Sequence, residues 1–284
     1  MTTLKLNPVS SWVRPTVMQI VVTIAVLINA LPLYWMIITS FKSSAELYLG
    51  KPSWLPLTWT FENYHRLMIE TDFPAYFGNS VMVAFCSTVI ALVFGSFGAY
   101  ALSRFHNLAV ITFGRVVIGS KALPTVLLAL PLYLYMVRIG LVNTRASLIL
   151  ANISFTLPIT IWLLKPYIDA VPQEIEESAW IDGCSRFGAL LRIVLPTALP
   201  GLVSVAIIDF TSAWNEYLFA LIFISSNQYR TLPIGLSVLI GQDSVDSWGL
   251  LMAAAVLISV PVLILYLFAQ RQLLAGLMEG SVKG

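Results

Sequence analysis

Three ionisable side chains interrupt apolar stretches of this sequence: Lys121, Asp209 and Glu216. Such a group at the centre of a bilayer costs roughly 2.5–3.5 kcal/mol, so these residues usually face a cavity or a partner. Asp209 and Glu216 lie about two helical turns apart and should share one helix face, with Trp214 and Asn215 beside them. This face could line a path for hydroxyl-rich solutes, or it could form a structural hydrogen bond or ion pair with another helix or a partner chain.

Other kinds of chemistry lack the residues that they need. His65 and His106 are the two histidines, and no cluster of metal ligands accompanies them. The sequence contains no Gly-x4-Gly-Lys-Ser/Thr loop, which would cradle the phosphates of ATP. Cys86 and Cys184 lie in contrasting stretches, so we expect no disulfide framework. We therefore expect no catalytic residue, no metal site and no cofactor bound by this chain.

The composition indicates that lipid is the solvent for much of the chain. Of 284 residues, 58% are hydrophobic and 11% are charged, and the mean hydropathy is +0.85. Soluble domains carry about 25% charged residues, and a water-facing surface requires more charge than this chain has. The net charge of +2 and the lack of a Lys/Arg-rich run argue against a nucleic-acid partner.

Six stretches could cross a bilayer, which takes about 20 mostly apolar residues each. We predict an all-α membrane protein with a single transmembrane domain over 1–284. An even number of spans places both termini on one side, and Lys and Arg slightly favour the cytoplasm for that side. The long polar stretch between the first two spans would then be an external cap. The predicted spans are about 16–38, 77–102, 116–137, 146–164, 197–224 and 248–269.

The polar segment 170–195 concentrates acidic residues in a chain that has few charges. Pro172 suits the first position of a helix, and acids in the first turn favour the positive end of the helix dipole. Gly183 can adopt the left-handed conformation that ends a helix, and Ser185 can cap a second one. We predict two short helices with a sharp bend, which should bind something other than lipid.

This segment resembles the EAA signature of ABC importer permeases: Glu-Ala-Ala, three residues, Gly, nine residues, then Ile-x-Leu-Pro. Ser178 replaces the usual Ala, a change of one small residue for another. The resemblance implies a type I ABC importer permease fold, in which this element is a cytoplasmic coupling helix that docks in a groove of an ATPase subunit. The residues assigned to ATPase coupling are Glu176, Glu177, Ser178, Ala179, Asp182, Gly183, Ile193, Leu195 and Pro196.

Further patterns are similar to the second permease of maltose-type sugar importers. They are Ser40-Phe41-Lys42, Phe61-Glu62-Asn63-Tyr64, Asn79-Ser80, Tyr100 to Phe105, Gly140 to Thr144, Trp214-Asn215-Glu216 and the ending Gly280 to Gly284. This resemblance implies a carbohydrate substrate and a bacterial inner-membrane location. It also implies a second homologous permease, two ATP-binding cassette subunits that carry ATP and Mg, and an extracytoplasmic solute-binding protein.

Two alternatives stay open at this point. The chain could be an ABC permease for another class of small solute, or an ion-coupled secondary transporter. The second class typically shows an inverted repeat with broken helices in both halves, and no such repeat is visible. Within the sugar reading, Lys121 could favour an anionic sugar derivative, pair with Asp209, or extend its ammonium toward the membrane surface.

Overall fold

The computed structural model describes residues 9–47, 52–242 and 248–281. Within these ranges every regular element is a helix, which confirms the all-α prediction. The helices are α1 Val9–Ser40, α2 Ser44–Leu47, α3 Glu62–Ile69, α4 Phe73–Arg104, α5 Leu108–Gly119, α6 Thr125–Arg138, α7 Arg145–Asp169, α8 Gln173–Ile181, α9 Arg186–Ala189, α10 Leu195–Thr197, α11 Leu199–Trp214, α12 Leu218–Phe223, α13 Leu232–Gln242 and α14 Trp248–Ser281, with 3-10 turns at Ser120–Ala122 and Asn227–Tyr229 and a π-helical turn at Leu190–Val194.

Four of the predicted spans fall on continuous helices that are long and apolar enough to cross a membrane. These are α1 from Val17 onward, the whole of α4 and α7, and α14 as far as Gln270. The segments 108–138 and 186–214 instead form bent helix pairs, with angles of 104° and 79°. The described helices therefore provide four spans, or up to six if each bent pair counts as one.

The predicted third span, 116–137, is broken rather than straight. Leu123 has an extended backbone (ψ 125°) directly before Pro124, because a proline ring disfavours the helical conformation of the residue that precedes it. The predicted fifth span, 197–224, is also interrupted, since α11 ends at Trp214 and α12 begins only at Leu218.

Packing divides the chain into two compact units, residues 71–238 with 258–284 and residues 1–70 with 239–257. In the unit formed by 71–238 with 258–284, α4, α7 and α11 pack closely because glycines lie at their contacts. A Cβ on Gly95 would come within 2.5 Å of the Thr160 side chain, and one on Gly201 within 2.2 Å of the Tyr167 ring. Small residues at such contacts are typical of helix packing in membranes.

In the unit formed by 1–70 with 239–257, an asparagine fastens α3 to the end of α1. Asn63 Nδ2 donates to the carbonyl oxygens of Ser40 (2.9 Å) and Lys42 (2.8 Å). The Phe41 ring packs against Tyr64, at 5.2 Å between centroids. The sequence patterns that contain Phe41 and Asn63 therefore mark the contact between the end of α1 and α3.

Asn143, which belongs to the Gly140 to Thr144 pattern, organises a loop in the unit formed by 71–238 with 258–284. It adopts a left-handed conformation (φ 61°), which asparagine tolerates better than most residues. Its Oδ1 accepts hydrogen bonds from the backbone N–H groups of Ser225 (3.1 Å) and Ser226 (3.0 Å), so it ties the loop after α6 to the loop after α12.

Candidate coupling segment and intramembrane cavity

The segment after α7 forms the two short helices and the bend that the sequence predicts. Pro172 is the N-cap of α8 and not its first helical residue, so the helix begins one residue later than predicted. Gly183 has φ 87°, and the N–H of Cys184 donates to the Ala179 carbonyl at 2.9 Å, a hydrogen bond typical of a left-handed helix end. Ser185 Oγ accepts from the Gly188 N–H at 3.0 Å and so caps α9.

The last part of the signature, Ile193, Leu195 and Pro196, lies where the backbone changes its helical geometry. The π-helical turn Leu190–Val194 leads directly into the three-residue α10. Proline lacks the N–H that a continuing helix requires, and Ala198 then leaves the helical conformation before α11 begins. Ile193 and Leu195 are half-buried, whereas Pro196 is exposed.

Glu176 is buried, with only 1% of its surface exposed, although it belongs to the residues predicted to couple with an ATPase. Its Oε2 accepts from the Tyr100 hydroxyl at 2.8 Å, and its Oε1 accepts from Arg104 Nε at 2.7 Å. Glu176 is thus not part of the exposed surface of α8. The residue instead connects α8 to the end of α4.

Arg104 extends this connection to the end of α7. Its Nη2 donates to the carbonyl oxygens of Ile168 (3.1 Å) and Val171 (2.9 Å), which lie at and just beyond the last turn of α7. The last carbonyls of a helix lack partners within the helix, and a cation is favourable there. One guanidinium group therefore joins α4, α7 and α8.

Four exposed residues toward the end of α8 and in its bend form what we call the docking face: Glu177, Ser178, Ile181 and Asp182. Ile181 is 87% exposed. Ala179, which the sequence also assigns to coupling, is half-buried beside this face.

The three intramembrane ionisable residues meet at one cavity, which we call the intramembrane cavity. Its volume is about 180 Å³. Two of its polar residues on α7, Asn152 and Thr156, were not predicted from the sequence, although they lie four positions apart and so mark one face of the helix. Its lining residues are Lys121, Thr125, Asn152, Phe155, Thr156, Ile159, Ile208, Asp209, Ser212, Glu216 and Phe219.

Both carboxylates at this cavity have partners. Asp209 is buried, and its Oδ2 accepts from Thr160 Oγ1 at 2.7 Å. Glu216 accepts from the backbone N–H groups of Phe219 (2.7 Å) and Ala220 (3.1 Å). Because α11 ends at Trp214, the two acids do not share a continuous helix face as predicted. The break after α11 nevertheless brings both to the same cavity.

Lys121 lies at the break between α5 and α6 and donates a hydrogen bond to the Phe155 carbonyl of α7. No carboxylate of the described residues lies within 4.0 Å of its ammonium, so the predicted alternative of an ion pair with Asp209 is not formed. Lys121 and Phe155 also line a second, mostly apolar cavity of about 270 Å³. Lys121 therefore stands between a polar and an apolar space.

Trp214 and Asn215, which the sequence places beside the two acids, do not line the intramembrane cavity. Trp214 is buried against Phe77 and Phe210, at 5.7 Å and 5.6 Å between ring centroids. Asn215 is exposed and donates to the Thr211 carbonyl at 2.8 Å. Residues next to each other on a helix point about 100° apart, so neighbours of Glu216 in sequence need not share its surroundings.

Residues 91–278 match the family of binding-protein-dependent transport system inner membrane components, and the chain belongs to this family. It is 38% identical over 260 residues to the inner membrane ABC transporter permease protein YcjP of Escherichia coli K12, which covers 91% of this chain and 92% of that protein. It is 34% identical to the trehalose/maltose transport system permease protein MalG of Thermococcus litoralis, over 89% of this chain and 91% of MalG.

The fold is also that of a solved transporter subunit. A chain from the crystal structure of a bacterial ABC transporter that imports the acidic polysaccharide alginate has a TM-score of 0.80 and 21% identity, and covers 95% of this chain and 99% of that chain. The chain is therefore a multi-pass inner-membrane permease subunit of an ABC importer, which confirms the resemblance found in the EAA-like segment.

Proposed function

We propose that this chain forms half of the translocation path of an ATP-driven importer for a sugar, through six spans and with both termini in the cytoplasm. The observation that carries the proposal is the pairing of a polar intramembrane cavity with an exposed docking face that is rigidly attached to α4 and α7. The intramembrane cavity can hold a hydroxylated solute. A partner bound to the docking face can move the helices that line this cavity.

The substrate class follows from the chemistry of the cavity and from the names of relatives. Sugar hydroxyls both donate and accept hydrogen bonds. Asp209, Asn152 and Thr156 provide acceptors, and Lys121 provides donors. Two carboxylates against one ammonium do not favour an anionic solute, so we propose a neutral sugar. The sugars named for MalG, trehalose and maltose, make suitable first candidates.

The proposed assembly contains a second homologous permease, two ATP-binding cassette subunits and an extracytoplasmic solute-binding protein. ATP and Mg would bind the cassette subunits, and the docking face would lie in a groove of one of them. Closure of the cassettes on ATP would move α8. Because Arg104 and Glu176 fasten α8 to α4 and α7, the motion would reach the helices that surround Asp209.

Reconstitution of the complex in proteoliposomes tests this function. The chain would be purified with the permease, ATPase and binding protein encoded beside it, and ATP hydrolysis would be measured against a panel of neutral and anionic sugars. We expect one sugar-loaded binding protein to stimulate hydrolysis and uptake together. If no ATPase copurifies, and an ion gradient drives uptake instead, the importer assignment fails and an ion-coupled carrier replaces it.

A further inference from the structure

A cavity of about 540 Å³ lies in the unit formed by 1–70 with 239–257, beside the end of α1 and the start of α14; we call it the end cavity. Its volume falls within the range of about 300–1,000 Å³ that is typical of small-molecule sites. None of its lining residues belongs to the intramembrane cavity or to the docking face.

Two buried charges of opposite sign line the end cavity. Lys42 is 3% exposed and Glu46 is 7% exposed, which is rare for these residue types. Lys42 Nζ donates to the Ser53 carbonyl and lies 4.7 Å from the centroid of the Trp35 ring. Glu46 accepts from Ser53 Oγ at 2.7 Å and from the Leu57 N–H at 3.0 Å.

These hydrogen bonds leave capacity on both groups. An ammonium has three N–H donors, and a carboxylate has about four acceptor positions. Lys42 and Glu46 do not form an ion pair with each other, as no such pair within 4.0 Å occurs among the described residues. The end cavity therefore offers a separate donor and a separate acceptor.

Thr39 provides an independent sign of a missing partner. It lines the end cavity, and its buried Oγ1 has no hydrogen-bond partner among the residues that the structure describes. The large majority of buried side-chain polar atoms in proteins do have one. A hydroxyl group on a bound molecule is the kind of partner that would satisfy it.

An aromatic side chain completes the lining. Trp248, at the first position of α14, is 56% exposed and borders the end cavity. An exposed indole provides a flat apolar surface with an N–H at its edge. The C–H face of a pyranose ring packs on such a surface, while its hydroxyls point to polar groups around the rim.

We propose that the end cavity binds a pyranose unit of a neutral sugar, as a second sugar site separate from the intramembrane cavity. A sugar hydroxyl can donate to Glu46 while another accepts from Lys42. A phosphate headgroup would instead meet the Glu46 carboxylate, and a quaternary ammonium headgroup would meet the Lys42 ammonium. The inference rests on the proposed sugar import. With the termini in the cytoplasm, the end cavity lies toward the external side, where the substrate arrives.

Sugar binding to the whole complex in nanodiscs, without the binding protein, tests this site. Saturation-transfer NMR would detect maltose and trehalose on the wild type and on the variants Trp248→Ala and Thr39→Val. We expect Trp248→Ala to weaken binding about tenfold, the effect of losing one aromatic packing contact. Thr39→Val keeps the side-chain shape and should weaken binding without lowering the melting temperature, because the lost hydroxyl has no partner in the described part of the chain. Trp59→Ala is the matched control, since Trp59 is 62% exposed in the same unit and does not line the end cavity.

Each other outcome overturns the proposal. If Asp209→Asn alone removes the entire sugar signal, the sugar binds only in the intramembrane cavity. If Trp248→Ala and Trp59→Ala weaken binding equally, the effect is not local to the end cavity. If glycerophosphoethanolamine displaces the sugar from the wild type but not from Trp248→Ala, the occupant is a lipid headgroup. In all three cases the wild-type complex would still hydrolyse ATP in response to the sugar-loaded binding protein. If the wild type shows no such stimulation, the proposed function itself is wrong.

Discussion

Arg104 and Glu176 form a buried ion pair that fastens α8 to α4, with 2.6 Å between Arg104 Nη2 and Glu176 Oε1. The side chains are 10% and 1% exposed, so solvent screens their interaction little. The same guanidinium also holds the last carbonyls of α7. The acidic residue that precedes the EAA-like triplet thus acts inside the permease, and its neighbour Glu177 faces outward.

Glu176→Gln should destabilise the protein and uncouple ATP hydrolysis from transport. Removing one partner of a buried ion pair costs about 3–5 kcal/mol, because the remaining charge loses its compensation. Arg104→Gln combined with Glu176→Gln should recover part of that loss. The measurements are the melting temperature and the ratio of sugar uptake to ATP hydrolysed.

Glu174→Gln is the control for this effect, since Glu174 is an exposed acid on the same helix. If Glu174→Gln and Glu176→Gln change the uptake ratio equally, the negative charge of α8 matters and the connection to α4 does not.

Ile181→Glu should weaken binding of the ATPase subunit about tenfold or more without changing the melting temperature. The side chain is 87% exposed, so its loss removes little packing within the permease. Apolar anchors at the centre of an interface commonly contribute 2 kcal/mol or more, about a thirtyfold change in affinity. Copurification of the ATPase and its titration onto the permease in nanodiscs provide the readout. Leu108→Glu, at an exposed leucine outside the docking face, should leave ATPase binding intact.

Lys121→Met should reduce uptake of neutral and anionic sugars by the same factor. The lysine donates to the Phe155 carbonyl and thereby connects the α5–α6 break to α7, a role that does not depend on the charge of the solute. The measurement is the uptake rate of a neutral and an anionic sugar through wild type and variant. A selective loss of anionic uptake would show instead that Lys121 recognises an anionic sugar derivative. Lys165→Met, at a lysine that pairs with Asp169 outside the cavity, is the control.

Glu46 should make the stability of its unit depend on pH in the acidic range. Burial acts to raise the pKa of its carboxyl, but hydrogen bonds from Ser53 and Leu57 and the charge of Lys42 outweigh burial and hold the pKa below the usual 4.5. A depressed pKa in the folded state stabilises the protein above the pKa of the unfolded state, and this contribution is lost as the pH falls through the folded value.

The melting temperature of wild type should therefore exceed that of Glu46→Gln at pH 7, and the difference should shrink below about pH 4.5. A difference that stays constant down to pH 3 would mean that the ionised form of Glu46 contributes nothing. Glu62→Gln, at an exposed acid of the same unit, is the control variant.

Gly201→Ala should destabilise the contact between α7 and α11. A Cβ at this position would lie 2.2 Å from the Tyr167 ring, so the ring or the helix must move. Overpacking of this kind typically costs about 1–3 kcal/mol. Gly78→Ala is the control, because beyond its own helix backbone and chain neighbours no atom of the described residues lies within 4 Å of the added carbon. Resistance to unfolding in sodium dodecyl sulfate should fall for the first variant and rise slightly or stay unchanged for the second.

The kind of molecule and the local shape of the candidate coupling segment could be predicted from the sequence. Composition alone requires a lipid solvent, since 11% charged residues cannot cover a water-facing surface. The bend after α8 was also predictable, because Gly183 and Ser185 act through the conformation and hydrogen bonds of their own backbone neighbours. Such local interactions depend on residues that are adjacent in the chain.

Which side chains face each other depends on contacts between residues that are distant in the chain. Nothing in the order of residues distinguishes buried Glu176 from exposed Glu177, because the partners of Glu176 on α4 lie more than seventy positions away. The breaks after Leu123 and Trp214 likewise redirect the chain, so that Lys121, Asp209 and Glu216 meet while Trp214 turns into the core. Helical periodicity predicts faces along one continuous helix, and it loses its meaning where the helix ends.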